Sequence, residues 1–147
     1  MSTDYSIRIK FGARGSDADR MASRFFGDPF VPASLADKFD EDFIFLAQIR
    51  LADLAELDTA NALPHNGYLY LFIDAEMYPS DELYIFCEHA NEVPDTLLSG
   101  FNSRSPVKIG LDKGWDVRFE KAHAEYSGTK LLGSSADGNH KNVLLLF

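Results

Sequence analysis

The feature that most constrains this chain is a nearly unbroken apolar run of strand length, from Phe43 to Ile49. Side chains of a strand point alternately to the two faces of a sheet, and here both faces are apolar. Such a strand is covered on both sides, as at a central position in a sheet. Gln48 is the one polar residue of the run, and burying it without hydrogen bonds would cost about 1–3 kcal/mol. We therefore expect a structural role for Gln48, bonded to backbone of a neighbouring segment such as residues 23–32, with a ligand as the alternative partner.

A short amphipathic segment and two further strands follow that run. Three leucines recur at every third position between residues 51 and 57, which predicts one or two turns of helix packed on the sheet. Leu63 to Gly67 contains Pro and Asn-Gly, which are typical of a turn. Tyr68 to Asp74 is again apolar on both faces. Glu82 to Glu88 should pair with it as an antiparallel hairpin, because the connection is too short for a parallel crossover.

The remaining sequence favours more strands and one domain. Tyr5 to Phe11 alternates apolar and polar side chains, as in a half-exposed strand near a sheet edge. At 147 residues and 46% hydrophobic, the chain can bury a sizeable core, and its 13% aromatic content favours β structure. We predict a single α+β domain over residues 1–147. It would be a largely antiparallel twisted sheet or two-layer β structure with one or two short helices packed on it.

Several short motifs resemble those of a known family. Residues 23–32 combine Ser, a basic residue, Gly and Pro; residues 45–49 read Phe-Leu-Ala-Gln-Ile; and residues 63–73 join Leu-Pro to a Gly-Tyr-Leu-Tyr-Leu-Phe-Ile strand. Lys130–Gly133 and Val143–Leu146 are similar to later elements of the same pattern. This pattern is similar to that of the YwqG-like family, itself a family of unknown function. The resemblance implies a mixed, strand-rich α+β fold and no established activity.

The chain departs from the YwqG-like pattern at three places. Phe26 stands where that family has the first Gly of a pair, and the Trp-Pro usual before the Gln strand is absent from residues 33–42. The family pattern also continues past Phe147, so the resemblance implies either a shortened relative or a truncated chain. Val143–Phe147 would then be an apolar strand with an uncovered edge. This predicts a homo-oligomer formed through that strand, unless another segment covers it.

Charge is distributed unevenly along the sequence. Residues 51–100 hold ten Asp or Glu and no Lys or Arg, within a chain whose net charge is −9. An acidic surface repels phosphate backbones, so we expect no nucleic-acid partner. A basic protein partner is the functional interpretation, and a solvated surface that keeps the protein in solution is the alternative. The carboxylates assigned to a binding face are Asp53, Glu56, Asp58, Asp81 and Glu82.

Candidates for catalytic or metal chemistry are weak. Cys87 and His89 would share one face of a strand, but a base two residues from its nucleophile is unusual, and a buried Cys followed by a strand-exit His is the simpler interpretation. Residues 133–138 have the glycine spacing of a phosphate loop without the lysine that must follow. The other histidines lack the spacing of a zinc site; they are His65, His123 and His140. We expect no catalytic residue, no metal and no cofactor.

These observations predict an uncharacterised YwqG-like protein and favour a non-enzymatic, acidic protein-binding module of immunity or regulatory type. The alternative is a hydrolase-like or other small-molecule enzyme with a cleft between the sheet and the Ser23–Pro32 loop. The single cysteine, the lack of a secretory signal and the lack of an apolar run of about 20 residues favour a cytoplasmic protein with no membrane segment.

Overall fold

A computed structural model describes residues 4–14, 20–38, 43–74, 85–102, 114–133 and 145–146. Most of the regular structure in these ranges is β-strand. The strands are β1 (Tyr5–Arg14), β2 (Arg24–Phe25), β3 (Phe30–Val31), β4 (Phe43–Arg50), β5 (Tyr68–Asp74), β6 (Ile85–Ala90), β7 (Thr96–Leu97), β8 (Trp115–His123), β9 (Lys130–Leu131) and β10 (Leu145–Leu146). The helical segments in the described ranges are two 3₁₀ helices, Ala33–Leu35 and Leu51–Leu54.

The prediction of an α+β fold is wrong. The structure is mostly antiparallel β, and the described residues contain no helix of seven or more residues. Of the three leucines assigned to an amphipathic helix, two form the ends of the 3₁₀ helix Leu51–Leu54, where both are buried, and Leu57 lies in the turn that follows. Their spacing of three matches the 3₁₀ period, in which side chains i and i+3 lie above each other. Asp58 then accepts backbone hydrogen bonds from Ala62 and Leu63, which closes a loop where a longer helix would have continued.

The chain divides into two compact units. The first comprises residues 1–12, 51–65 and 117–147. Its strands follow the order β10, β9, β1, β8, and β9 pairs antiparallel with both β10 and β1. Ile7 of β1 lies opposite Leu131 of β9, and both side chains are fully buried. The prediction of a single domain over the whole chain stays a prediction.

The second unit, residues 13–50 and 66–116, is built on the long antiparallel pair of β4 and β5. The strand order is β2, β4, β5, β6, and the first two residues of β8 pair with β2. Every residue from Ile44 to Ile49 is buried, which confirms the prediction of a strand covered on both faces. The antiparallel pairing of β5 with β6 confirms the predicted hairpin.

A two-stranded sheet of β3 and β7 also belongs to the second unit. It places Phe30 opposite Leu97. The core of this unit is an aromatic-rich cluster; its buried members are Val31, Phe45, Tyr68, Tyr70, Phe72, Ala90 and Phe101. Phe45 and Phe72, on paired strands, have ring centroids 5.6 Å apart. Such cross-strand aromatic contacts stabilise a sheet beyond the area they bury.

The turn into β5 requires glycine. Gly67 has a φ of +76°, and a Cβ added there would lie 2.2 Å from the carbonyl oxygen of Ala90. A side chain at this position would therefore meet backbone strain and a backbone clash together. In the described part of the chain, no helix has the length and apolar character needed to cross a membrane.

Candidate functional site

The side chain of Gln48, in strand β4, forms hydrogen bonds with the backbone of residues 20–30. Its side chain is fully buried, and its Oε1 accepts a hydrogen bond from the backbone N–H of Phe30 at 3.0 Å. Its Nε2 donates to the carbonyl oxygens of Arg20 and Ala22 at 2.8 and 2.9 Å. Both amide hydrogens and one carbonyl lone pair are thus used, so the amide avoids the cost of burial without partners. Phe30 lies in the loop that the sequence suggests as the partner of Gln48.

Three hydroxyl groups also hold this segment. The Tyr70 hydroxyl donates to the carbonyl of Phe30 at 2.7 Å, and the Tyr68 hydroxyl donates to the carbonyl of Met21. The Ser23 hydroxyl accepts a hydrogen bond from the backbone N–H of Arg50 at 2.8 Å. Residues 20–30, which contain only the two-residue strand β2 and the start of β3, are therefore fixed by side chains of β4, β5 and the segment itself. Such bonds satisfy backbone groups that a regular sheet would otherwise pair.

A sharp turn separates β2 from β3. Phe26 and Gly27 both have positive φ, at +60° and +79°. A bulky residue in this region carries strain of about 1–3 kcal/mol, which the surrounding structure must offset. The backbone N–H of Phe26 donates to the carbonyl of Leu46 at 2.8 Å, and its ring packs edge-on to Phe25. The turn brings Arg24 back towards Asp28, and Arg24 Nη2 donates to the carbonyl oxygen of Asp28.

A polar cleft of about 110 Å³ lies beside this turn, lined by Arg20, Arg24, Asp28 and Leu97. Arg24 is only 3% exposed, whereas Arg20 is exposed, so the cleft runs from the surface to a buried guanidinium group. A guanidinium group offers five N–H donors in a planar fork that matches carboxylate or phosphate oxygens. The cleft can therefore bind and orient a polar group.

The five carboxylates assigned to a binding face have different environments. Asp53 and Glu56 are exposed and lie three positions apart in the segment that includes the Leu51–Leu54 3₁₀ helix. Asp58 is fully buried and therefore does not contribute to an acidic surface. Asp81 and Glu82 lie outside the described residues. Of the five carboxylates, the structure thus places Asp53 and Glu56 at the surface.

Asp58 is the centre of a buried hydrogen-bond network in the first unit. Four donors surround its carboxylate: the Tyr5 hydroxyl, the backbone N–H groups of Ala62 at 3.1 Å and Leu63 at 2.8 Å, and His65 Nε2 at 2.9 Å. Burial raises the pKa of Asp58, but the hydrogen bonds outweigh burial and leave that pKa below its ordinary value. Burial and the bond to Asp58 raise the pKa of Tyr5. The network holds the loop that follows the 3₁₀ helix.

The sequence contains one signal that points to the Asp58 network. An Asp at the start of a polar loop characteristically accepts hydrogen bonds from backbone N–H groups a few residues later. Asp58 is followed by the polar stretch Thr59–Asn61 and then by the two backbone donors. A count of charges alone does not distinguish the buried Asp58 from the exposed residues Asp53 and Glu56.

Cys87 and His89 are not arranged as a nucleophile and its base. Although Cys87 is exposed as a residue, partial burial of its thiol and the neighbouring Glu88 carboxylate raise the pKa of that thiol. A raised pKa disfavours the reactive thiolate. His89 Nε2 donates to the carbonyl oxygen of Asn66 at 3.0 Å.

The remaining motifs add no chemistry within the described ranges. In those ranges, no group of three or more His, Cys, Asp or Glu side chains is placed to hold a metal ion. Residues 134–138 of the loop with phosphate-loop spacing lie outside the described residues, and so does His140. Of the two remaining histidines, His65 belongs to the Asp58 network, and the ring of His123 contacts that of Tyr126.

A family model described as a domain of unknown function, DUF1963, matches residues 23–127. The chain belongs to the DUF1963 family. No curated protein and no solved structure matches it. The matched range contains Gln48 and three of the four residues that line the cleft, Arg24, Asp28 and Leu97. The cleft is therefore formed mainly by the DUF1963 region.

Replacing Gln48 by leucine tests its structural role. Gln48→Leu would leave the Phe30 N–H and the Arg20 and Ala22 carbonyls without their partner, so we expect a loss of about 1–3 kcal/mol in the free energy of unfolding. Urea unfolding followed by circular dichroism measures it. Leu46→Met is the matched control in the same strand, and this swap of similar volume should cost less than about 1.5 kcal/mol. A Gln48→Leu protein as stable as the wild type would contradict the structural role.

The Asp58 network predicts a loss of stability in acid. Because the pKa of Asp58 is lowered by folding, its contribution is present above the unfolded-state pKa of about 3.9 and is lost as the pH falls through the lower, folded-state pKa. The free energy of unfolding should therefore decline below about pH 4. Asp58→Asn should flatten part of this decline, whereas Asp53→Asn, at an exposed carboxylate, should leave it intact. Equal acid dependence in all three proteins would contradict this assignment.

Proposed function

We propose that this DUF1963 protein is a non-enzymatic binding module whose ligand site is the cleft beside Arg24. The observation that carries this proposal is a buried guanidinium group lining a polar cleft, in a segment held by the three hydrogen bonds of Gln48. Preformed concave sites with a few fixed polar groups are where small ligands bind. The cleft borders the loop that the enzyme alternative requires, but its lining of two arginines, one carboxylate and one leucine supports binding and orientation more than bond cleavage.

A ligand screen with a blocked variant tests this proposal. Leu97 lines the cleft and is partly exposed, so Leu97→Trp should fill the cleft with little cost to the core. Ligand-detected NMR with a library of small polar compounds should give binders for the wild type that Leu97→Trp no longer binds. Val93→Ala, at a side chain 74% exposed and away from the cleft lining, is the control and should retain them. A screen without binders, or binders that Leu97→Trp retains, would contradict the proposal.

We also propose that, within DUF1963, the chain is YwqG-like. The motifs in residues 23–32, 45–49 and 63–73 support this relation. The backbone adds support, because Phe26 and Gly27 both have the positive φ that a Gly-Gly pair adopts without strain. Phe26 stands where the YwqG-like pattern has the first of those glycines.

The second candidate function is recognition of a basic protein partner, as in an immunity or regulatory module. The observation in its favour is that Asp53 and Glu56 are both exposed and close in sequence, within a 50-residue stretch that has no Lys or Arg. Exposed carboxylates steer a basic partner during encounter. This attraction weakens with salt, because the Debye length falls from about 10 Å at 0.1 M to about 3 Å at 1 M.

Uncharged replacements of Asp53 and Glu56 test whether these carboxylates bind a basic partner. A partner captured from the native host and then purified should bind Asp53→Asn/Glu56→Gln more weakly than the wild type at low salt, and with a smaller salt dependence. Asp95→Asn, at an exposed carboxylate of the other unit, is the control and should bind as the wild type does. If the affinity for the partner and its salt dependence do not change in the double variant, Asp53 and Glu56 keep the protein in solution and have no role in partner binding.

We further propose a cytoplasmic protein that self-associates through its C-terminal strand. The single cysteine of the chain supports a reducing compartment. Strand β10 is terminal in the described sheet order, so one of its edges has no described strand beside it, and such edges pair readily with another copy. Light scattering at high protein concentration should show a mass above that of the monomer, and a strictly monomeric mass would contradict self-association.

A further inference from the structure

Strand β6 ends the strand order β2, β4, β5, β6 of the second unit. Its six residues pair one to one with β5, from Tyr68 opposite Ala90 to Ile73 opposite Ile85. One edge of β6 is therefore fully paired, and no strand of the described residues lies along the other edge. The backbone N–H and C=O groups on such an edge can bond to a further strand.

Strand β6 lacks the features that usually protect a sheet edge. Such edges are commonly blocked by a lysine, by a proline or by a bulge in the strand. Residues 85–90 contain no lysine and no proline, and their register with β5 runs without a shift. Phe86 adds a large apolar side chain that is 43% exposed. A regular edge with an exposed aromatic side chain is suited to accept another strand.

The side chains of β6 indicate what an added strand would contact. Phe86 and Glu88 lie on one face of the strand, because side chains alternate between the two faces. Lys38 Nζ lies 2.5 Å from Glu88 Oε1, so the charge of Glu88 already has a partner. Phe86 packs edge-on against Phe43, with ring centroids 5.4 Å apart. An apolar side chain placed opposite Phe86 would extend this aromatic contact.

A second copy of β6 fits this edge poorly. In a two-fold pairing of β6 with itself, opposite residues lie on the same face of the sheet. Registers centred on Cys87 or Glu88 therefore place Glu88 opposite Phe86 or opposite another Glu88, and a register centred on Phe86 uses only residues 85–87 of the strand. Residues 51–100, which contain β6, hold ten acidic and no basic residues, so two copies would also repel each other. A basic segment of another protein avoids both problems.

We propose that the outer edge of β6 binds an extended, basic segment of a partner protein as an added antiparallel strand. An apolar residue of that segment lies opposite Phe86, and basic residues precede it. In antiparallel pairing, the preceding residues run towards Ala90 and the exposed Glu92, whose carboxylate accepts a bond from the uncharged Ser34 hydroxyl at 2.7 Å. None of these residues lines the cleft beside Arg24, so the edge and the cleft are tested independently.

The probe is the peptide acetyl-Lys-Lys-Val-Thr-Thr-Thr-Phe-Thr-amide, titrated into ¹⁵N-labelled protein and followed by NMR. We expect saturable shifts centred on the backbone amides of residues 85–90, and slower exchange of the β6 amides that point away from β5. A control peptide with proline at its fifth and sixth positions keeps the lysines and the phenylalanine but loses two adjacent ladder donors. It should bind at least about tenfold more weakly, because each lost hydrogen bond contributes about 0.5–1.5 kcal/mol. A second control peptide, with glutamate in place of both lysines, should also bind more weakly, and this difference should shrink as salt is added.

Protein variants test the position of the added strand. Phe86→Lys places a lysine on the edge, as protected edges do, and should weaken binding of the basic probe at least about tenfold. Phe11→Lys is the matched control, because Phe11 is also 43% exposed but lies in the other unit, and it should leave the Kd unchanged. Circular dichroism shows whether Phe86→Lys folds without the contact to Phe43. If it does not, Cys87→Lys, at an exposed residue of the same strand, keeps that contact and should weaken binding in the same way.

Four results would overturn the proposal. If the probe causes no shifts in residues 85–90, the edge does not accept a strand of this kind. If the proline peptide binds as tightly as the probe, or if the lysine variants of β6 do not weaken binding, the peptide is not held as an added strand. If the glutamate peptide binds as tightly as the probe, the partner segment is not basic. Shifts of residues 85–90 that grow with protein concentration, without peptide, would identify a second copy as the occupant.

Discussion

The structure of the second unit depends on how one buried amide is satisfied. Gln48 lies in a strand whose neighbours on both faces are apolar, so its amide must find its partners in protein backbone. It finds three, in residues 20–30, and thereby fixes a segment that has little regular structure of its own. The position of Arg24, and with it the cleft, follows from this attachment.

Other buried polar side chains in the described chain also form hydrogen bonds with backbone groups. Asn102 exchanges two hydrogen bonds with the backbone of Phe45, at 2.8 and 2.9 Å. Lys130 is fully buried and donates to the Ala124 carbonyl at 2.6 Å, and its burial lowers its pKa. Asp58 accepts hydrogen bonds from two backbone N–H groups in the loop that follows the 3₁₀ helix. In the described residues, the helices are two short 3₁₀ segments and several strands have two residues, so many backbone groups lie outside regular ladders. These side chains supply hydrogen-bond partners for some of those groups.

Sequence patterns predicted the long strands that lie at the centre of the second unit. The burial of β4 on both faces follows from its unbroken apolar run, and the β5–β6 hairpin follows from the short connection. Gln48 is the one polar residue of that run. The prediction of an amphipathic α-helix was wrong, because a leucine spacing of three fits a 3₁₀ turn as well as an α-helix. The cleft could not be predicted, because Arg24 and Leu97 are far apart in sequence and meet through the pairing of Phe30 with Leu97. No local motif encodes such a long-range pairing.

The central claim is that Gln48 holds residues 20–30 in place, and amide hydrogen exchange at Phe30 tests it most directly. The Phe30 N–H donates to Gln48 Oε1, so its exchange should be slow in the wild type. In Gln48→Leu, that amide should exchange at least about tenfold faster relative to Leu71 in the β4–β5 pair, whose exchange corrects for any change in global stability. Fast exchange at Phe30 in the wild type, or an unchanged ratio in the variant, would contradict the account.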